Sequence, residues 1–161
     1  QYGDGFGNEA FINSYRNAVA WNTGEFFKRL MPTLDLQKTL IIYTSDHGQN
    51  FTKTADTGFL THCTTGHAPA SEGTVPLVLM TEQAQWLASI QEAAKYPSVA
   101  SHWNIPSTVL LTMGYPQSYV QAHYEPSLLD AERGRAEFIS TFFVRFGLEP
   151  VWNAPVKNTS H

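Results

Sequence analysis

The run Leu40-Ile41-Ile42-Tyr43-Thr44, closed by Ser45-Asp46-His47-Gly48, constrains the fold of this chain more than any other stretch. A short, almost uninterrupted apolar and β-branched run of this kind reads as a strand buried on both faces, the usual setting of a parallel sheet. Val75-Pro76-Leu77-Val78-Leu79-Met80 has the same character. Ligands of open α/β sheets bind beyond the carboxyl ends of the strands, so Asp46 and His47 stand where a site is expected. Gly48 permits the turn that lets a carboxylate oxygen and an imidazole nitrogen point to one side. Such a mixed donor pair suits Zn²⁺ or Mn²⁺ better than an all-oxygen calcium site.

The rest of the chain supplies helices around these strands. From Asn8 to Met31, Phe11, Ile12, Tyr15, Val19, Phe26 and Leu30 recur at helical spacing, which predicts an amphipathic helix that stops before Pro32 and is weakened by Gly24. Residues 81–95, with Trp86, Leu87 and Ile90, predict a surface helix. Residues 101–113 predict another, with Ser101 as N-cap and Gly114 as its stop. Residues 136–146 are β-rich and read as a late, peripheral strand, and the stripe Phe138, Phe142, Phe143 and Phe146 reads as core. The order of elements is α/β. No repeat or change of composition divides the chain, so residues 1–161 read as one unit.

Two donors seldom hold a divalent ion, and the polar segment 49–74 offers His62 and His67 in Thr61-His62-Cys63-Thr64-Thr65-Gly66-His67-Ala68-Pro69. On its own, an Asp-His pair is more simply a capped turn, and loop histidines are more simply polar surface. Lys53 reads as a solvated lysine, and His102 as a capping or surface residue that could reach substrate.

Taken together, the segments carry a resemblance. Ile-Ile-Tyr-Thr-Ser-Asp-His-Gly, a histidine-bearing loop, then Thr74-Val75-Pro76-Leu77-Val78-Leu79 resembles the second metal-binding segment of the alkaline phosphatase and sulfatase superfamily. Residues 15–27 look like the helix before that strand, and residues 102–114 resemble a sulfatase segment in which Pro and Thr open a helix ending at glycine; here Ser107 separates Pro106 from Thr108. The resemblance implies a three-layer α/β sandwich with a mainly parallel sheet, of which this chain forms the C-terminal part. It also implies a metal-dependent hydrolase or transferase acting on sulfate or phosphate esters.

Carried over by residue, Asp46 and His47 become ligands of a divalent metal. Gly58-Phe59-Leu60-Thr61-His62 with Ala68-Pro69 is similar to the phosphoethanolamine transferases, which makes His62 a third ligand or a phosphoryl contact. His67, nearer Val75-Pro76, stands as the alternative, as in cofactor-independent phosphoglycerate mutases. Zn or Mn is the implied metal, with Ca in a formylglycine sulfatase. Cys63, however, lacks the Cys-x-Pro-x-Arg context of that nucleophile. The family's nucleophile lies N-terminal to the segments matched here, and Gln1 to Gly7 reads as neither an initiator Met nor a signal peptide, so the chain is expected to begin inside something longer.

Composition trims the alternatives. A net charge of −4, from 10 Lys and Arg against 14 Asp and Glu with no like-charge run, gives no electrostatic basis for nucleic-acid binding. The single cysteine excludes an internal disulfide and a Cys-rich zinc module. No apolar run nears the roughly 20 residues of a membrane helix. The expected partner is an anionic ester. The resemblance implies a periplasmic or other extracytoplasmic location, with a membrane anchor upstream. A non-catalytic domain keeping the sheet for structure or partner binding is the competing expectation.

Overall fold

The structure is a computed structural model, which describes residues 8–51, 53–54, 58–59, 68–95, 100–134, 137–139 and 149–154. Helix α1 (Asn8–Leu30) runs into a 3₁₀ turn, Met31–Thr33, where Pro32 lacks the N–H an α-helix would need. Strand β1 (Ile41–Thr44) follows, then the short strands β2 (Lys53–Thr54) and β3 (Gly58–Phe59). Next come the one-turn helix α2 (Ala70–Gly73), strand β4 (Leu77–Met80) and helix α3 (Ala84–Ala93). A 3₁₀ turn, His102–Asn104, leads into α4 (Ile105–Thr112), followed by α5 (Gln117–His123), β5 (Phe138–Ile139) and β6 (Trp152–Asn153).

The sheet departs from the sequence-based expectation. Both apolar runs form strands and pair with one another, but antiparallel, Ile41 opposite Met80 and Thr44 opposite Leu77. The reason lies in the connection. A parallel pair needs a crossover that carries the chain back along the strand's length. Here the Gly48 N–H donates to the Glu72 carbonyl at 2.6 Å, so the connection leaves and returns at one end of the sheet. Among the described residues the pairings are three antiparallel two-stranded ones, β1 with β4, β2 with β3 and β5 with β6, in place of the mainly parallel sheet. Burial differs too: β1 is half-buried throughout rather than enclosed on both faces, and Val78 of β4 is exposed.

One face of β1 is covered by α1. Tyr43 stacks edge-on against Phe27, ring centroids 5.1 Å apart, and its hydroxyl lies 3.3 Å from Thr23 Oγ1. Farther along the helix Tyr15 meets Phe51 at 5.2 Å. Of the rest of the apolar stripe, Ile12 and Leu30 are half-buried, while Phe11, Val19 and Phe26 are exposed. At the far end of the sheet, the Leu36 carbonyl accepts from Glu82 N–H at 2.9 Å, fixing the turn before β1 to the exit of β4.

The best-enclosed part of the molecule is polar. Asn104, Ser107 and Thr108 are fully buried, and Ser127 and Leu128 nearly so. Buried polar groups persist when they are hydrogen-bonded, and these are. Asn104 Nδ2 donates to the carbonyls of Pro126 and Arg133 at 2.8 Å each, and its Oδ1 accepts from Ser101 N–H at 2.8 Å. Thr108 Oγ1 accepts from Leu128 N–H at 2.8 Å. Arg133 donates Nη2 to the Ala93 carbonyl and Nε to the Asp130 carbonyl at 2.9 Å, tying the end of α3 to the same knot. Helix α4 then stops as a Schellman motif: Gly114 takes φ +88°, with Gly114 N–H on the Leu111 carbonyl and Tyr115 N–H on that of Leu110.

Candidate metal centre

Ser45 to Gly48 begin where β1 ends. Ser45 Oγ donates to the His47 carbonyl at 2.8 Å and lies 3.4 Å from Asp46 Oδ1, which folds the chain back on itself. Asp46 consequently points out of the fold, its side chain 87% exposed, while that of His47 is 41% exposed. Gly48 is required by close approach: a Cβ there would meet the Ser71 carbonyl oxygen and come within 2.7 Å of that of Thr74. Behind this contact, Glu72 is buried and its carboxylate accepts from Asn50 Nδ2 at 3.0 Å, with Asn50 buried as well.

One hydrogen bond selects the tautomer of the neutral imidazole. His47 Nδ1 lies 2.7 Å from the Gly48 carbonyl oxygen. A carbonyl can only accept, so Nδ1 carries the proton and the neutral ring keeps its lone pair on Nε2. Nε2 is 3.8 Å from Asp46 Oδ2. That is shorter than one Zn–N plus one Zn–O bond, about 4.2 Å, so one ion could reach both atoms. The carbonyl on Nδ1 is also the usual outer partner of a metal-binding histidine. The donor set thus fits a divalent cation. The charge of a protonated His47 holds the Asp46 carboxyl below its ordinary range, with hydrogen bonds from the turn adding to the effect.

Among the described residues, no group of three or more His, Cys, Asp or Glu side chains gathers to hold a metal. Asp46 and His47 therefore stand together as a pair. His62 and His67, named from sequence as third ligand and its alternative, lie outside the described residues, as do Cys63, Phe142, Phe143 and Phe146. Lys53 falls in β2.

His102 does more than cap. It opens the 3₁₀ turn after the Ser101 N-cap, and its Nε2 reaches Thr44 Oγ1, the last residue of β1, at 3.2 Å. Sequence reasoning missed Asn50, Glu72 and Asn104. Asn50 and Glu72 belong to no motif, and Asn104, inside the sulfatase-like segment 102–114, was signalled only by Ser101 at capping-box spacing before it.

Beyond this pair, β5 and β6 approach the same region. Phe138 packs on Gly73 of α2, and Asn153, buried, accepts the Ala68 N–H on Oδ1 at 3.0 Å. Trp152 and Trp103 stand 6.4 Å apart. No helix among the described residues is long and apolar enough to cross a membrane.

Comparison with known families finds a match to the model described as Sulfatase, over residues 1–115. Comparison with curated proteins and with solved structures gives no match.

Proposed function

Because this chain belongs to the sulfatase family, a family of α/β hydrolases of sulfate esters, we propose that it is the metal-supplying part of a hydrolase or transferase acting on sulfate or phosphate esters. Asp46 and His47 ligate a divalent cation, and His62 supplies a third donor or an ester contact, with His67 as the alternative. Zn or Mn suits the mixed oxygen and nitrogen set, and Ca would accompany a formylglycine nucleophile. The observation that carries the reading is the Asp46–His47 pair: a charged carboxylate and an Nε2 lone pair, 3.8 Å apart at the carboxyl end of β1.

A divalent cation bound there would neutralise charge on the non-bridging oxygens of the ester and lower the pKa of an attacking hydroxyl. The residues of this chain perform the preparatory work. The Asp46 carboxyl lies below its ordinary range, His47 is held as its Nδ1–H tautomer by Gly48, and the backbone of α2 backs the turn. His62 or His67 carries a proton to or from the ester oxygens. The nucleophile comes from residues N-terminal to this chain. In the complete domain β1 and β4 join further strands of a three-layer sandwich, whose location is extracytoplasmic, with a membrane anchor upstream.

The test is metal content. Chain purified from zinc- and manganese-supplemented medium is dialysed and analysed by mass spectrometry, beside Asp46→Ala and His47→Ala. Retention by the wild type and loss in both variants is expected. Equal, near-zero content in all three would overturn the reading of a complete metal site within this chain. The complete protein, with metals added back, is then assayed on aryl sulfate, aryl phosphate and phosphodiester substrates to identify the ester.

A further inference from the structure

Thr44 stands at the end of β1, two positions before Asp46, and its Oγ1 makes two contacts. One is to His102 Nε2, 3.2 Å away across 58 positions of sequence. The other is to the Ser45 carbonyl oxygen at 3.3 Å. The carbonyl must accept, so the hydroxyl proton goes to Ser45 and the hydroxyl in turn accepts from His102. His102 therefore carries a proton on Nε2. Further along, Ser45 Oγ donates to the His47 carbonyl at 2.8 Å and His47 Nδ1 donates to the Gly48 carbonyl at 2.7 Å. These are separate bonds on successive residues, and together they tie the end of β1 to the turn that presents Asp46 and His47.

His102 arrives at Thr44 on an ordered backbone. It is the first residue of a turn whose N-cap is Ser101 and whose last residue, Asn104, is fully buried and bonded to Pro126 and Arg133. An exposed histidine on a free loop would give up backbone and rotamer entropy to make one hydrogen bond. Here the knot already fixes the backbone at His102, so only its side-chain rotamer remains to be ordered.

We propose that His102 is a positioning residue for the metal centre: by donating to Thr44 it holds the 45–48 turn in the arrangement that lets Asp46 and His47 share one cation. This rests on the reading of those two residues as ligands. Partners of this outer kind change metal affinity by about 10- to 100-fold. His102 acts one residue further out, so the lower end applies.

The experiment is competition for Zn²⁺ against a chromophoric chelator, using wild type, His102→Ala, His102→Gln, Thr44→Val, the His102→Ala/Thr44→Val double variant and Asp46→Ala, each with its thermal midpoint. The Ala variant should bind about tenfold more weakly. Gln, whose amide nitrogen replaces the Nε2 donor, should come back to near wild type. Thr44→Val should match the Ala variant, and the double variant should be no weaker than either single one. Wild-type affinity in His102→Ala with loss in Asp46→Ala overturns the proposal and leaves the metal reading standing. No Zn²⁺ uptake by wild type removes both. If Gln fails to restore binding while Thr44→Val is silent, His102 is itself a ligand and the positioning role is wrong. Should His102→Ala not fold, Gln and Thr44→Val decide the matter.

Discussion

Asn104→Ala tests whether the polar knot, rather than apolar packing, holds the second half of the molecule together. The side chain is fully buried and makes three short bonds, to Pro126, Arg133 and Ser101, each 2.8 Å. Each such bond contributes about 0.5–1.5 kcal/mol net, and a buried partner left unsatisfied costs about 1–3 kcal/mol. Ser101 and Pro126 are half-buried and can recruit water, whereas the Arg133 carbonyl lies in a residue only 3% exposed. The sum comes to about 3 kcal/mol, with the larger share from Arg133. In a chain of this size that is a fall of about 6–12 °C in Tm. Urea and thermal unfolding followed by circular dichroism, with the m-value checked for constancy, measure it. Asn104→Asp sharpens the test: it keeps an acceptor for Ser101 but turns a carboxylate oxygen toward two carbonyls, so it should be worse than Ala. A change below about 0.5 kcal/mol for Ala, the usual range of a neutral surface site, would refute the argument. So would an Asp variant as stable as wild type.

Other perturbations follow from the same geometry. Gly48→Ala drives a methyl into the Ser71 carbonyl and should cost about 1–3 kcal/mol, because backbone atoms cannot swing aside; an unchanged urea midpoint would contradict it. Carbon-detected NMR should find the Asp46 carboxyl titrating below 3.8, and His47→Ala should raise it toward that value, since His47 is the largest cause of the lowering. With the folded value depressed, the matching stability is present above the ordinary carboxylate value and fades as pH falls through the lowered one. Asn50→Ala removes a buried donor from the Glu72 carboxylate and should destabilise by about 1.5–3 kcal/mol in chemical denaturation, as expected for a bond to a charged group. Arg133→Leu breaks the bonds to Ala93 and Asp130, and amide exchange at the end of α3 should speed up at least as much as in the rest of the chain.

The parts of the fold that local rules govern were legible in the sequence. Pro32 ends α1, Gly114 ends α4, and both apolar runs are strands, because these outcomes depend on neighbours along the chain. The direction of the sheet was not. It depends on Gly48 meeting Glu72, two residues with no pattern between them, and an apolar run reads the same in either orientation. The stripe on α1 has true helical periodicity, yet Phe11, Val19 and Phe26 face outward: periodicity shows which residues share a face, not what covers it. At the site, Asp46 and His47 were singled out by the family resemblance of the surrounding segments, and the structure sets them 3.8 Å apart at the end of β1. The contact from His102 to Thr44 was not legible, because a hydrogen bond spanning 58 positions leaves no local signature.

The bond between Gly48 and Glu72 also bears on how such a protein can diversify. It pins both ends of the stretch 49–71 beside the sheet, in the manner of a clasp on a necklace. The entropy of closing a loop rises only with the logarithm of its length, about 0.6 kcal/mol per doubling. Insertions between the pinned ends are thus cheap for β1, β4 and the polar knot, provided that Asn50, Phe51 and Ala68 keep their contacts with Glu72, Tyr15 and Asn153. A lineage could lengthen that stretch repeatedly while Asp46 and His47 stay fixed in place, so long as Asn50 and the third donor are kept, which separates where length can vary from where it cannot.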